Sequence, residues 1–334
     1  MKKFLLKCIL AMFLSPGIAQ DPHFSQFFEA PLLRNPSLAG LFAGDIRVQG
    51  VYRSQWGSVT TPFVNGSFNA EYKHPIGTGD DFITTGLQLL YDRAGVTALT
   101  TTNVMPALNY HKALSGNKSK YLSLGFMGGW VGRSIDRSKI ITDNTLTNGS
   151  SGETFNNASY NYIDGSVGLS YNSYIGDDDN NSFFAGVAYH HINRPKNTFY
   201  DATGVVVQPK WVASGGVKLA VTELSYITLQ GDYTLQGNNN EIVGGMMYSY
   251  KMGADFDNPD YVLHFGGFVR VKDAFIPVVK IDYQPFSIAL SYDVNTSNLV
   301  TASHARGGAE ISISYAGFLD RSNSTRNAVL CPRF

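Results

Sequence analysis

Cysteine is nearly absent from this chain. Cys8 and Cys331 are the only two among 334 residues, and Cys8 lies in a segment that we expect to be removed on export. A single remaining thiol cannot form an intrachain disulfide, so the sequence excludes the class of small exported domains that disulfides hold together. Cys8 follows Lys7 and has no small residue beside it, which argues against a lipid attachment site.

Charge is scarce and balanced. The 26 basic and 26 acidic side chains give a formal net charge of +0, which offers no electrostatic footprint for nucleic acid. Charged residues make up 16% of the chain, against about 25% in soluble domains.

Long apolar runs are missing after the N-terminus. No later stretch approaches the roughly eighteen uninterrupted apolar residues of a membrane helix, so the sequence excludes one. Since only helices and closed barrels satisfy every backbone hydrogen bond in hydrocarbon, this chain can enter a membrane only as a closed β-barrel.

Catalytic and metal-binding motifs are missing too. The sequence has no Gly-x-Ser-x-Gly nucleophile elbow, and its Asp177–Asp179 and Asp255–Asp260 turns lack the spacing of a calcium loop. His190 and His191 are adjacent, and adjacent residues on a strand point to opposite faces. We therefore expect no enzyme activity, no cofactor and no metal site.

The first residues have the form of an export signal. Lys2 and Lys3 precede an apolar run, and Gly17-Ile18-Ala19 supplies small residues at the cleavage positions. We predict a signal peptide over residues 1–19, with Gln20 at the mature end.

Glycine and aromatic residues are abundant, with 34 Gly, 19 Tyr and 21 Phe. Rings for the two membrane interfaces and small groups for a crowded lumen suit a transmembrane barrel, although a soluble β-sandwich could share this composition.

Alternation with a period of two decides between these folds. Ile311, Ile313 and Tyr315 share one face of a segment whose other face carries Glu310 and Ser312. Such segments run to roughly ten residues, the length that crosses a bilayer at a tilt, whereas soluble strands average five or six. Several apolar faces end in an aromatic ring, as at Tyr52, Tyr72, Tyr91, Trp130, Tyr171, Tyr283, Tyr292 and Tyr315.

The alternation predicts an all-β fold, a transmembrane antiparallel up-and-down barrel of about fourteen strands in the bacterial outer membrane, an even number as such barrels require. The predicted strand centres are Val48, Phe68, Leu87, Ala107, Phe126, Leu169, Ala185, Val217, Leu229, Met246, Phe265, Val279, Leu290 and Ile313. The three long connections, 133–159, 193–211 and 295–307, then all follow odd strands and fall on the outer side, and the short ones fall on the periplasmic side.

The chain divides into four predicted regions. After the signal peptide come a plug segment over 20–43, the barrel over 44–318 and a periplasmic tail over 319–334. The plug segment is too apolar for a free tail and too rich in proline for a strand. We expect it to fold under or into the periplasmic mouth of the barrel, either as a purely structural plug or as a contact for a partner.

The polar faces bring charges of both signs into the lumen. These charges either line a selective pore or pair into a lattice that closes it, and mixed signs in a confined space favour the lattice. The residues are Arg47, Arg53, Glu71, Lys73, Lys218, Arg270, Lys280, Asp282 and Glu310.

Short motifs stand near both termini. The mature N-terminus reads Asp-Pro-His-Phe-Ser-Gln-Phe from Asp21 and Asn-Pro-Ser-Leu-Ala-Gly from Asn35. The first strand adds Tyr-Arg-Ser-Gln-Trp from Tyr52, the last strand carries Gly308, Glu310, Ser314 and Tyr315, and the sequence closes with Cys331-Pro-Arg-Phe. In this order and combination the motifs resemble those of the PorP/SprF family of the type IX secretion system.

The resemblance implies a non-enzymatic outer-membrane component that binds or anchors exported, adhesin-like cargo through the cargo's C-terminal export domain. It also implies contact with other secretion and gliding subunits on the periplasmic side. The motif residues are then the expected partner-binding residues: Phe24, Gln26, Phe27, Asn35, Pro36, Arg53, Gln55 and Trp56. The alternatives are a channel for small or hydrophobic solutes, which requires a continuous apolar pocket, and a barrel enzyme, which requires a nucleophile and a base at the outer rim.

Overall fold

A computed structural model describes most of the mature chain. The described residues are 21–57, 60–77, 79–115, 120–140, 145, 147, 157–176, 180–200, 204–253, 259–297 and 300–319. The predicted signal peptide, the Asp177–Asp179 turn, Asp255, Asp257 and the ending at Cys331 lie outside them.

Fourteen antiparallel strands close into one barrel, which confirms the predicted fold. Each strand pairs with its neighbours in sequence, and β14 returns to β1. Every predicted centre lies inside a strand. The strands are β1 (Ile46–Gln55), β2 (Phe63–Pro75), β3 (Phe82–Ala94), β4 (Leu99–Ala113), β5 (Lys120–Ser134), β6 (Ser159–Tyr174), β7 (Ser182–His190), β8 (Lys210–Thr222), β9 (Ser225–Gln236), β10 (Asn239–Met252), β11 (Tyr261–Arg270), β12 (Ala274–Tyr283), β13 (Phe286–Asn295) and β14 (Arg306–Gly317).

The helical elements whose bounds lie within the described residues are single turns. These are Phe27–Glu29, Pro31–Arg34, Pro36–Leu38, Arg137–Lys139 and Val300–Ser303. Within the described ranges, no helix has the length and apolar character needed to cross a bilayer.

The two ends of the barrel differ in their connections. At the end where β1 begins and β14 ends, strands are joined by short links such as 223–224 and 284–285. At the opposite end lie the connections 135–158, 191–209 and 296–305, which are the long ones. We call this second end the outer end and the first the inner end, since outer-membrane barrels carry their longer loops outside the cell.

The barrel is apolar outside and polar inside. Phe126 and Leu290 expose 53% and 54% of their surface on the outward face, whereas Gln88, Asn109 and Glu71 are buried on the inward face. Because lipid replaces water around the outer wall, the apolar side chains gain by facing out, and the polar ones collect in the lumen.

Residues 21–43, which we call the plug, lie inside the barrel. Asp21 contacts Lys210 and His191 at the outer end, and Ala43 lies at the inner end, just before β1. The expectation of a segment at the inner mouth therefore understates its reach, because the plug runs the length of the lumen. The inward face of the barrel is mostly polar, and its few apolar residues are spread along its length. The apolar side chains of the plug pack against these residues, so the plug extends along the lumen.

The apolar side chains of the plug pack against wall strands in four directions. Phe27 and Phe28 pack against β10, β11 and β12, where Phe268 and Ile276 are fully buried. Leu32 and Ala39 pack against β4 and β5. Leu38 and Leu41 contact β3, β5 and β7, and Phe24 contacts β1 and β3. These contacts fix the plug across the full width of the lumen.

Two inward glycines make room for the turn at Asn35-Pro36-Ser37. A Cβ on Gly125 would lie 2.4 Å from the Pro36 carbonyl carbon, and one on Gly168 would lie 1.8 Å from Asn35 Oδ1. The turn is rigid, since Asn35 Oδ1 accepts hydrogen bonds from the backbone N–H and the hydroxyl of Ser37. Asn109 Nδ2 then donates to the carbonyls of Ser37 and Ala39.

Replacing Leu290 with Arg tests the lipid-facing surface. Leu290 lies in the middle of β13 on the outward face, so a charge there meets hydrocarbon and lowers the free energy of unfolding by about 2–4 kcal/mol. Denaturant unfolding in lipid vesicles measures the difference. The Leu290→Ile variant is the control, and equal stability of the two variants would contradict a membrane-embedded wall.

Replacing Gly168 with Ala tests the fit of the plug. The added Cβ collides with Asn35, and overpacking of this kind costs about 1–3 kcal/mol. We expect a lower unfolding midpoint in detergent and faster proteolysis within residues 21–43. Gly165→Ala on the same strand is the control, because its Cβ would meet nothing nearer than 3.7 Å. Indistinguishable behaviour of the two variants would show that the turn does not pack against β6.

Candidate functional site: the plugged lumen

The outer anchor of the plug is Asp21. Its carboxylate accepts hydrogen bonds from Lys210 Nζ at 2.6 Å and His191 Nε2 at 2.9 Å, and its backbone N–H donates to Gln236 Oε1 at 3.0 Å. The other ring nitrogen of His191 lies 2.6 Å from Asp164 Oδ2. The first described residue of the plug is therefore held between β6, β7, β8 and β9.

The charges of this anchor persist around neutral pH. Burial opposes ionisation of Asp21, but Lys210 and His191 outweigh it and hold the pKa well below the ordinary 3.8. Burial also disfavours the charged imidazole, but Asp21 and Asp164 outweigh it and raise the pKa of His191 to about 9. The stabilisation from His191 is thus complete below pH 6.5 and lost as pH rises through about 9. That from Asp21 is present above pH 3.8 and lost as pH falls below it.

The central anchor is the carboxylate of Glu310 on β14. It accepts hydrogen bonds from two successive backbone N–H groups of the plug, Ser25 at 2.6 Å and Gln26 at 2.7 Å. The Ser25 hydroxyl donates to Asp293 Oδ1 at 2.5 Å. Hydrogen bonds to a buried carboxylate are among the strong ones, so these contacts fix the height of the plug in the lumen.

Two arginines balance these carboxylates. Arg53 lies 2.8 Å from Asp293 and 3.2 Å from Glu310, its register partner across the seam between β1 and β14. Arg270 lies 3.2 Å from Asp293 and also donates to the Ser25 hydroxyl at 2.6 Å. All four charged groups are almost fully buried, and removing one partner of such a set costs about 3–5 kcal/mol.

Charged residues of the plug itself also pair with residues of the barrel wall. Arg34 makes a bidentate salt bridge with Asp232 on β9, through two hydrogen bonds of 2.8 and 2.5 Å. Glu29 accepts hydrogen bonds from Lys280 Nζ at 2.7 Å and Gln49 Nε2 at 2.8 Å. Together with Asp21, the plug therefore supplies two anions and one cation that the wall neutralises.

The last part of the plug is held by β1 and β2. Glu71 accepts a hydrogen bond from the Gly40 backbone N–H at 2.7 Å and pairs with Arg47 at 2.7 Å. Lys73 donates to the Phe42 carbonyl, and its ammonium lies 4.3 Å from the centre of the Phe42 ring.

The predicted lumen charges all lie on inward faces, and these contacts favour the lattice over a selective pore. Asp282 lies 3.1 Å from His264 Nε2 and 3.6 Å from Lys280 Nζ. The Lys218 ammonium lies 4.3 Å from the centre of the Tyr226 ring. Of the remaining members, Lys73 makes the contacts with Phe42 described above. The others make the ion pairs described above: Arg47, Arg53, Glu71, Arg270 and Glu310.

The predicted partner-binding residues fall into two groups. Gln55 and Trp56 line a cavity of about 280 Å³ at the outer end. The others are buried against the chain itself and hold the plug: Phe24, Gln26, Phe27, Asn35, Pro36 and Arg53. Of these, Arg53 also lines the cavity of about 280 Å³, and Phe24 and Phe27 line a smaller one of about 80 Å³. A partner-binding role for either group stays a prediction.

Several anchoring residues were not singled out from the sequence. Asp293 lies on the polar face of its strand, and this position in the alternation of polar and apolar residues could have identified it as a lumen residue. Asp232 on β9 had the same signal, because it too lies on an inward polar face. Glu29 and Arg34 had none, because the plug has no periodic pattern. His191 was expected to point away from His190, but it follows the end of β7, has φ +60°, and turns into the lumen. Among the described residues, no group of three or more His, Cys, Asp or Glu is placed to hold a metal.

Solved structures with a similar fold are barrels. The Ralstonia pickettii toluene transporter TbuX aligns with a TM-score of 0.53 at 9% identity, covering 87% of this chain and 94% of that chain. The Pseudomonas putida toluene transporter TodX gives 0.46 at 10% identity, with 87% and 94% covered. CdiB from Acinetobacter baumannii gives 0.45 at 9% identity, with 81% and 60% covered. At these identities the likeness to TbuX shows the fold alone.

The closed barrel with an apolar outer wall places the chain in the outer membrane. No curated protein matches it. The family model for the type IX secretion system membrane protein PorP/SprF, in contrast, matches residues 17–315, which include every strand from β1 to β13 and most of β14. This chain therefore belongs to the PorP/SprF family of type IX secretion system membrane proteins.

Proposed function

We propose that this chain is a non-enzymatic subunit of the type IX secretion system that binds or anchors exported surface cargo at its outer end. Its inner end contacts the periplasmic machinery. The barrel is then a fixed platform in the outer membrane and not a conduit for the cargo.

The occupied lumen is the observation that carries this proposal. The plug spans the barrel and is anchored at three heights, by ion pairs at Asp21 and by hydrogen bonds from its backbone amides to Glu310 and Glu71. The cavities at the outer and inner ends, about 420 and 290 Å³, share no lining residue. A folded or extended cargo chain cannot pass through such a lumen, so the interaction has to take place at the two ends.

The outer end offers the surface for cargo. Most of the 135–158 connection lies outside the described residues. Among the described ones, Trp56 packs against Phe63 with 4.9 Å between ring centres and lines the outer cavity with Gln55. Aromatic residues in partly open pockets are frequent anchors of protein interfaces.

The inner end offers the surface for the machinery. Its cavity is lined by Arg47, Lys218, Lys251 and Lys280, with Asp282 among them. This mixture of charges suits a polar periplasmic partner.

The solute channel is the second candidate. It has in its favour the fold shared with TbuX, a toluene transporter. The wall of the outer cavity argues against a hydrophobic solute, since Asp21, Asp164, His191 and Lys210 line it.

Affinity purification from native membranes in mild detergent tests the proposal. We expect a surface protein with a type IX export domain to be recovered with the wild-type chain, and its yield to fall several-fold with Trp56→Ala, since interface tryptophans often contribute 1 kcal/mol or more. Trp211→Ala is the matched control. Trp211 also packs on an aromatic ring, Tyr189 at 4.6 Å, but it lies on the outward face of the barrel.

The same preparation gives the opposing result. If no such surface protein is recovered and the purified monomer conducts in a planar bilayer, the channel is the correct function. Equal cargo recovery from the two tryptophan variants would remove the outer cavity from the proposed interface.

A further inference from the structure

A cavity of about 420 Å³ lies at the outer end of the lumen beside the plug. The plug residues Asp21, Pro22 and Leu33 form one side, and strands β3 to β7 form the other. Residues 204–208 of the connection before β8 lie at its rim. Apolar residues of the far wall, formed by β3, β4 and β5, also pack against the plug, whereas the polar side chains with which these strands line the cavity make no hydrogen bond or ion pair with the described part of the plug.

That far wall carries a row of polar residues. Register partners follow one another from Asn65 on β2 to Asp92, Thr101, Arg133 and Tyr160 on β6. Asp92 and Arg133 therefore lie on either side of Thr101, two strands apart at the same height, and both line the cavity.

Neither charge makes an ion pair within 4 Å among the described residues, and each acts on the other from a longer distance across Thr101. Asp92 accepts a hydrogen bond from Asn65 Nδ2 at 2.5 Å, but no Lys, Arg or His of the described residues lies within 4 Å of its carboxylate. Arg133 donates to Asn197 Oδ1, its Nε has no partner, and no described carboxylate lies within 4 Å. Asp21 and Asp164 in the same cavity are both paired.

Nearer the inner end, the same wall carries one amide N–H donor and one amide oxygen acceptor that have no hydrogen-bond partner among the described residues. These are Nε2 of Gln88, a residue that is 1% exposed, and Oδ1 of Asn103. Buried polar atoms are rarely left without a hydrogen bond, because each costs about 1–3 kcal/mol. Leu90 and Met105 lie beside them and give the cavity an apolar floor.

We infer that this cavity binds a short peptide whose backbone pairs with Gln88 and Asn103 and whose flanking charges pair with Asp92 and Arg133. A peptide carbonyl accepts from Gln88 Nε2, and a peptide N–H donates to Asn103 Oδ1. An ammonium or guanidinium lies against Asp92, and a carboxylate against Arg133. The pairing leaves both ligand and site neutral, which avoids burying an uncompensated charge.

Two sources supply this chemistry. A free di- or tripeptide carries the two charges at its termini, whereas a loop of a larger protein carries them on side chains. The cavity has the size of ordinary ligand pockets. The inference goes beyond the proposed cargo role and does not depend on it, since peptide binding is measured on the purified barrel without cargo.

Isothermal titration calorimetry on the detergent-solubilised full-length mature chain tests the inference. The probes are triglycine, with free termini, and acetyl-Lys-Gly-Asp-amide, with charged side chains. We expect saturable binding of at least one of them, and binding at least roughly tenfold weaker for the uncharged acetyl-triglycine-amide.

Substitutions of the cavity residues test whether the probe binds at this site. Asp92→Asn and Arg133→Gln each lower the affinity for the probe by roughly tenfold, and Asp92→Glu recovers part of that affinity. Arg93→Gln is the matched control, because Arg93 neighbours Asp92 but is exposed. If Asp92→Asn fails to fold, Thr101→Phe fills the cavity while keeping both charges and should abolish binding.

Each outcome is decisive. Binding of triglycine alone identifies free peptides as the ligand, and binding of the blocked Lys-Gly-Asp peptide alone identifies a segment of a larger chain. No saturable binding of either probe by the wild-type chain overturns the inference and leaves water as the partner of these groups. So does an equal loss of affinity in Arg93→Gln.

Discussion

Satisfaction of backbone hydrogen bonds in hydrocarbon is the constraint on which the rest of this structure depends. Because lipid offers no donors or acceptors, the sheet has to close, and β14 pairs with β1 along their whole length. Closure then forces the polar half of every strand into one confined space. A lumen lined with charges of both signs is therefore a consequence of the fold, and it needs neutralisation from within.

The plug provides that neutralisation together with the apolar contacts. Its Arg34 and Glu29 complement Asp232 and Lys280 on the wall, and its backbone amides complement Glu310. Phe27 and Leu32 use the small apolar patches between these charges. The buried motif residues thus hold the plug inside the barrel, whereas Asp21, Arg53, Gln55 and Trp56 line cavities at the outer end. Residues that line these cavities are the ones that can meet a partner.

The sequence predicts the strands of the barrel far better than the path of the plug inside it. Strand number, faces and connection parity all follow from a local period of two, so residues such as Ile313 and Glu310 were assigned to the correct faces. The path of the plug has no local signal. Its contacts depend on which inward side chains come together after closure, as when Ser25 meets Glu310 across 285 positions. The glycines at 125 and 168 illustrate the same limit, because only the close approach of Pro36 and Asn35 explains them.

The central anchor couples the plug to the seam. Arg53 on the first strand and Glu310 on the last are register partners, and Asp293 sits one strand further on. Both carboxylates that contact Ser25 lie on β13 and β14, so these two strands alone bring them together. Arg53, which balances them, comes from β1 and reaches them only when the seam closes. In an unclosed sheet the carboxylates lack one of their two arginines, and in a closed barrel without the plug they lack the amide donors. Closure of the barrel and binding of the plug therefore stabilise each other.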